Sequence, residues 1–205
     1  MLTIIDYGIG NLTSIKNMLK RIGVDSVISH KLDDIESADK LILPGVGSFD
    51  YGMEQLNKSG LVEVINKKVV EQKTPILGIC LGAQLFTDES EEGQVNGLGW
   101  IKGKTVSFDR SRLSSNQKIP NMGWTDVFGF EKSKLFTNMF ETPRFYFVHS
   151  YHLLIDNPDE TMVMTNYGYD YVAGIEKGNI LGVQFHPEKS HKFGMKILEN
   201  FVKYY

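Results

Sequence analysis

Disulfide chemistry is absent from this sequence: a single cysteine, Cys80, stands among 205 residues, so no internal bridge can form. Cysteine use this sparse points to a reducing compartment, and we expect a cytoplasmic protein. Long apolar runs are missing too, since none approaches the ~20 residues of a membrane span. Met1 to Asp6 lack the basic and then apolar stretches of a secretory signal. Charge of one sign is equally lacking. Lys and Arg total 22 against 25 Asp and Glu, the net charge is -3, and both signs are scattered, which excludes the basic footprint of a nucleic-acid binder. His30, His149, His152 and His191 show no metal-ligand spacing, so no metal centre is expected. Repeats, low-complexity tracts and linkers are also absent. A chain of this length buries roughly 70% of its unfolded surface without a staple, and we expect one domain over residues 1–205.

What is present alternates between strand and helix patterns, the signature of an α/β fold. Leu2 to Ile5 reads as a buried strand. Residues 12–22 follow with Leu12, Ile15, Leu19 and Ile22 on one helical face, closed by Gly23. Asp25 to Ser29 and Lys40 to Leu43 are short strand candidates, and apolar residues from Met53 to Val69 predict one long helix between Pro44 and Thr74. Pro75 to Ile79 reads as a strand. Beyond Trp100 the helical period fades, and segments such as Phe145 to Val148 and Thr161 to Thr165 predict antiparallel hairpins added to a mainly parallel sheet. Residues 193–202 close the chain as a helix with Phe193, Ile197, Leu198 and Phe201 on its buried face.

The cysteine stands at a strand-to-helix transition, between glycines, in Gly78-Ile-Cys-Leu-Gly-Ala-Gln84. A nucleophile held on a sharp, strained turn needs small neighbours, which Gly78 and Gly82 supply. Taken alone, the segment fits a buried, inert core cysteine equally well. A second segment, Gly182-Val-Gln-Phe-His-Pro-Glu-Lys-Ser190, supplies the missing parts of a relay. A thiol with its ordinary pKa near 8.5 is mostly protonated at neutral pH, so a nucleophilic cysteine needs an imidazole beside it. His186 can serve. Glu188, two residues along an extended stretch, points to the same side and can fix the imidazole's tautomer, with Pro187 stiffening the step.

Several motifs in order carry a resemblance that spans nearly the whole chain: Asp6-Tyr-Gly-Ile-Gly-Asn-Leu12, Leu43-Pro-Gly-Val-Gly-Ser-Phe49, the Cys80 segment, Asn121-Met-Gly-Trp124, Phe145-Tyr-Phe-Val-His-Ser-Tyr151 and Gln184-Phe-His-Pro-Glu-Lys-Ser190. Through them the chain resembles the class I, triad-type glutamine amidotransferases, and among these the glutaminase subunits that serve imidazole glycerol phosphate synthesis. The resemblance implies a flavodoxin-like α/β fold and hydrolysis of glutamine to glutamate and ammonia by Cys80, His186 and Glu188, with no cofactor.

It also implies an oxyanion hole from the backbone N–H groups of Leu81 and Val46. The glycines on both sides of Val46 leave that peptide free to flip, so a switchable hole is expected. Gly47, Glu92, Ser150 and Tyr151 are implied substrate contacts. Gln84, one helical turn after the nucleophile, can line the same pocket. A (β/α)8-barrel cyclase of the HisF type is the implied partner, facing Asn11, Asn121, Met122, Trp124 and Lys189. At Ala83, Asn121, Thr125 and His152 the sequence departs from the residues common in the histidine pathway. Three other readings stay open here: a paralogue feeding another synthase, such as one that amidinates a surface-polysaccharide sugar; a cysteine peptidase on the same elbow; and a catalytically silent subunit.

Overall fold

A computed structural model describes residues 1–205. Its strands are β1 (Leu2–Ile5), β2 (Ser26–Ser29), β3 (Lys40–Gly45), β4 (Ile76–Cys80), β5 (Glu89–Ser90), β6 (Gly103–Ser107), β7 (Asn121–Phe128), β8 (Arg144–His149), β9 (Tyr151–Ile155), β10 (Thr161–Tyr167), β11 (Tyr169–Lys177) and β12 (Ile180–Val183). The α-helices are α1 (Leu12–Arg21), α2 (Leu32–Glu36), α3 (Phe49–Lys58), α4 (Val62–Asn66), α5 (Leu81–Gln84) and α6 (His191–Tyr204).

The sheet runs in the order β2-β1-β3-β4-β12-β11-β10-β7-β8, with β5, β6 and β9 branching from β11. The first five of these strands pair in parallel. From β12 onward the main path is antiparallel. The parallel half is the flavodoxin-like order, and the additions beyond β12 are the hairpins the sequence predicts.

Period-two alternation splits the apolar side chains between the two faces. Leu2, Ile4, Ile42, Leu77 and Ile79 pack with Ile15 and Leu19 of α1 and with Ile197, Leu198 and Phe201 of α6. Ile5, Leu41, Leu43 and Ile76 pack on the other face with Ile35, Phe49, Met53, Leu56 and Ile65. The helices therefore cover both faces, as a parallel sheet requires.

Two local expectations need correction. The long helix between Pro44 and Thr74 is three pieces: α3, α4 and a π-helical turn over Lys67–Glu71. The break falls at Gly60, whose φ of +71° ends the first helix with the left-handed turn that glycine accepts. The stretch after His186 is not extended either. Pro187–Lys189 forms a 3-10 turn opened by its proline.

Candidate active site

Strand β4 carries the chain to Cys80 at its carboxyl end, in the parallel half of the sheet where such folds place their ligand crevices. Cys80 has φ 54° and ψ −113°, a conformation foreign to side-chain-bearing residues, and α5 starts on the next residue. The glycines make the bend possible. A Cβ on Gly78 would stand 2.7 Å from Ala83 Cα, and one on Gly82 would stand 1.8 Å from the Leu43 carbonyl oxygen. Both positions admit hydrogen alone, so β3, β4 and α5 pack backbone to backbone around the thiol.

His186 follows β12, the neighbour of β4, and is 2% exposed. Its Nδ1 lies 2.8 Å from Glu188 Oε1. The 3-10 turn brings the carboxylate back under the ring, so the pair forms by curling rather than by the extended geometry expected. Nε2 is buried and has no hydrogen-bond partner, and Cys80 is near enough to act on the ring's charge. Burial pulls the imidazole's pKa down, but the Cys80 and Glu188 contacts outweigh it and push the value up to about 10. A positively charged imidazole beside the sulfur is the neighbour a nucleophilic cysteine needs.

A cavity of about 400 Å³ opens over Cys80, walled by Val46, Gly47, Leu81, Gln84, Glu92, Ser150, Tyr151, His186 and Lys189. Leu81 N–H is the first of α5 and so lacks an intrahelical acceptor. The two glycines beside Val46 differ in role. Gly45 is wedged, with a Cβ position 2.7 Å from Tyr7 Oη and 2.9 Å from Gly82 N, whereas Gly47 has φ +101° and nothing nearer than Tyr51 Cδ1 at 3.8 Å. Any freedom in this loop therefore lies on the Gly47 side. Glu92 Oε2 accepts from Phe49 N–H at 2.8 Å, tying its loop to the start of α3. Its pKa is raised because desolvation exceeds the help of that hydrogen bond.

Of the surface residues expected to face a partner, Met122 is 62% and Trp124 42% exposed. Lys189 is exposed at the rim of the cavity, and Asn11 is half-buried before α1. Asn121 is a correction. It is 2% exposed, and its amide donates inward to Tyr171 Oη, because position 121 is paired opposite His149 on the inner face of the hairpin.

Four residues near the site escaped the sequence reading. Gln184 is fully buried, accepts from Gln84 Nε2 at 3.1 Å and reaches Cys80 Sγ at 3.8 Å through Nε2. Its place two residues before His186, on the same side of an extended segment, was the available signal. Pro120, Val148 and His149 also line the cavity. Val148 and His149 lie within the Phe145–Tyr151 motif but carried no assigned role there, and Pro120 has no motif.

His149 and His152 are buried, and desolvation lowers both pKa values, that of His149 to about 3. His149 takes up no proton in the fold until well below the ordinary value of 6.5, while the unfolded chain does so near 6.5. The unfolded state thus binds more protons, and stability falls as pH drops from 6.5 toward 3. Urea unfolding from pH 7 to 4.5 should show this loss, with a shallower slope in His149→Asn; parallel slopes would contradict it.

The chain matches the family model described as Glutamine amidotransferase class-I over residues 3–204. A relative from Methanococcus maripaludis called imidazole glycerol phosphate synthase subunit HisH 2 is 54% identical over 203 residues, covering 99% of each chain. One of the same name from Pseudomonas aeruginosa is 47% identical, again covering 99% of both. Among solved structures, PurLQS from Thermotoga maritima superposes with a TM-score of 0.72 at 22% identity, covering 99% of this chain and 97% of that one, a likeness of fold alone. Matched along nearly its full length by the family model, and with a buried Cys80-His186-Glu188 arrangement on a strand-to-helix elbow, the chain belongs to the class I glutamine amidotransferases.

Proposed function

We propose that residues 1–205 form one glutaminase domain, the glutamine-hydrolysing subunit of a cytoplasmic imidazole glycerol phosphate synthase. The observation that carries the chemistry is Cys80 at its strained turn, in a cavity shared with His186, whose Nδ1 is held by Glu188 at 2.8 Å. The thiolate attacks the side-chain amide carbon of glutamine, and the carbonyl oxygen takes up negative charge. Leu81 N–H and Val46 N–H are the assigned donors to that oxygen. Imidazolium Nε2–H protonates the departing nitrogen, ammonia leaves, and a γ-glutamyl thioester remains on Cys80. Water then gives a proton to Nε2, attacks the thioester and releases glutamate, and the thiolate-imidazolium pair is restored.

Glu92 is assigned to the substrate's α-ammonium group, and Gly47, Gln84 and the backbone at Ser150 and Tyr151 to the rest of the molecule. The half-buried carboxylate at the cavity wall supports the first assignment. Free ammonia is protonated and lost in neutral water, so the product needs a synthase docked over the site. A (β/α)8-barrel cyclase of the HisF type is the partner we assign, seated on Met122, Trp124, Lys189 and Asn11 as a heterodimer. The exposed Met122 and Trp124 side chains support that face. No helix is long and apolar enough to cross a membrane.

Titrating the chain with a histidine-pathway cyclase and its nucleotide ligand is the test. A saturable rise in glutamate release, at least about tenfold, is expected, and no rise with the cyclase folded would overturn the assignment of partner. A second reading, a duplicate glutaminase feeding a different synthase, is favoured by the number 2 in the names of two relatives. It predicts that flat titration together with intact labelling of Cys80 by a glutamine analogue.

A further inference from the structure

Between β7 and the nucleophile runs a chain of hydrogen bonds whose directions are set by the groups in it. The Tyr151 carbonyl only accepts, so His149 Nδ1, 2.8 Å away, carries the proton. In the neutral ring Nε2 is then bare and must accept, which makes Tyr171 Oη, at 3.1 Å, the donor. The Tyr171 oxygen in turn accepts from Asn121 Nδ2 at 3.1 Å. On the far side, the same Tyr151 carbonyl accepts from Gln84 Nε2 at 3.0 Å, and Gln84 joins Gln184, which reaches Cys80.

This chain fixes one peptide. β8 ends at His149 and β9 starts at Tyr151, so Ser150 alone makes the step between two strands, and it lies in the cavity wall. Only a long backbone bond reaches the step itself, from Phe108 N–H to the Ser150 carbonyl at 3.4 Å. The imidazole at one end and the Gln84 amide at the other grip the carbonyl that follows it. Asn121, Tyr171 and His149 are all buried, and Phe108 packs tilted against His149 at 5.3 Å and edge-to-face with Tyr171 at 5.2 Å. In such surroundings an unmade hydrogen bond is costly, so the arrangement is held firmly.

We propose that Tyr171 and His149 are positioning residues for substrate: they hold the Tyr151–His152 peptide, and through it the backbone that turns at Ser150, in the orientation that receives glutamine, and act through that backbone rather than by touching the reacting atoms. The proposal rests on the reading that glutamine occupies this cavity. Asn121, with its amide turned inward, completes the chain by fixing the direction of the Tyr171 hydroxyl.

The experiment is steady-state glutamate release by the full chain, with its synthase where turnover requires it, in three variants. Tyr171→Phe keeps the ring and frees the His149 tautomer. It should raise KM for glutamine about tenfold with kcat changed less than about threefold, since substrate placement is loosened and the nucleophile is untouched. His149→Asn places an amide N–H where Nδ1–H stood and should keep KM within about threefold of wild type. His149→Gln puts its amide at the Nε2 position, leaves the Tyr151 carbonyl without that donor, and should raise KM about tenfold. A merely structural histidine predicts equal effects for the two His149 variants, and that equality, or an unchanged KM in Tyr171→Phe, would overturn the proposal. If the His149 variants fail to fold, Tyr171→Phe decides alone. Labelling of wild-type Cys80 by a chloroketone analogue of glutamine separates the two layers: its absence would sink the glutamine reading itself.

Discussion

Replacing Cys80 by alanine is expected to lower glutamine hydrolysis by about 10⁴-fold or more, while the partnered synthase supplied with ammonium salt keeps its rate. The magnitude follows from the chemistry, because this chain has one thiol and every covalent step passes through its sulfur. His186 and the backbone donors would still bind substrate, yet a water in the cavity has no comparable nucleophilicity at neutral pH. Retention of more than a few per cent of glutamate release would sink the glutaminase mechanism.

The same position tests the strain in the elbow. At φ 54° and ψ −113° an alanine is as poorly placed as the cysteine, whereas glycine is at ease there. Cys80→Gly should therefore resist urea better than Cys80→Ala by about 1–2 kcal/mol. That reverses the usual penalty of glycine against alanine. Equal stabilities would mean the turn carries no such strain.

Gly82→Ala should destabilise the fold by more than about 4 kcal/mol. Alanine is ordinarily the better helix former by about 1 kcal/mol, and Gly82 lies inside α5 with no left-handed φ to protect. The cost is purely steric. The added Cβ would lie 1.8 Å from the Leu43 carbonyl oxygen and 2.8 Å from its carbon, both backbone atoms of β3. Relief requires α5 and β3 to separate, and β3 leads directly into Val46 and Gly47 at the cavity, so surviving protein should also lose activity. Gly23→Asn is the control. Gly23 has φ +77° with nothing within 4 Å of its Cβ position, and asparagine tolerates that conformation, so a loss below about 1 kcal/mol is expected. Urea melts of the two variants side by side give the comparison, and similar losses would contradict the crowding argument.

The parallel half of the fold was legible in the sequence because its strands are buried on both faces and its helices carry a single apolar stripe. β1 lies at the residues expected, and α1, β4 and α6 differ from their expected spans by no more than a few residues. The split of the long helix was not legible: apolar spacing continues from Met53 to Val69 across Gly60, and periodicity does not register a left-handed glycine. In the site, Cys80, His186 and Glu188 are close in space, as their motifs implied. The local route differed, since a 3-10 turn replaced the extended stretch. Asn121, His149 and Tyr171 were illegible as a unit because their contacts join three strands distant in sequence. Ordinary polar residues announce no such partnership, and only the register of β7 on β8 and the packing around Phe108 bring them together.

The most direct measurement is to treat the chain with a chloroketone analogue of glutamine and locate the adduct by peptide mass spectrometry, with and without excess glutamine. A single adduct at Cys80, slowed by glutamine and accompanied by loss of glutamate release, is the predicted result. An unlabelled Cys80, or labelling indifferent to glutamine, would contradict the assignment of this thiol as the nucleophile of a glutaminase.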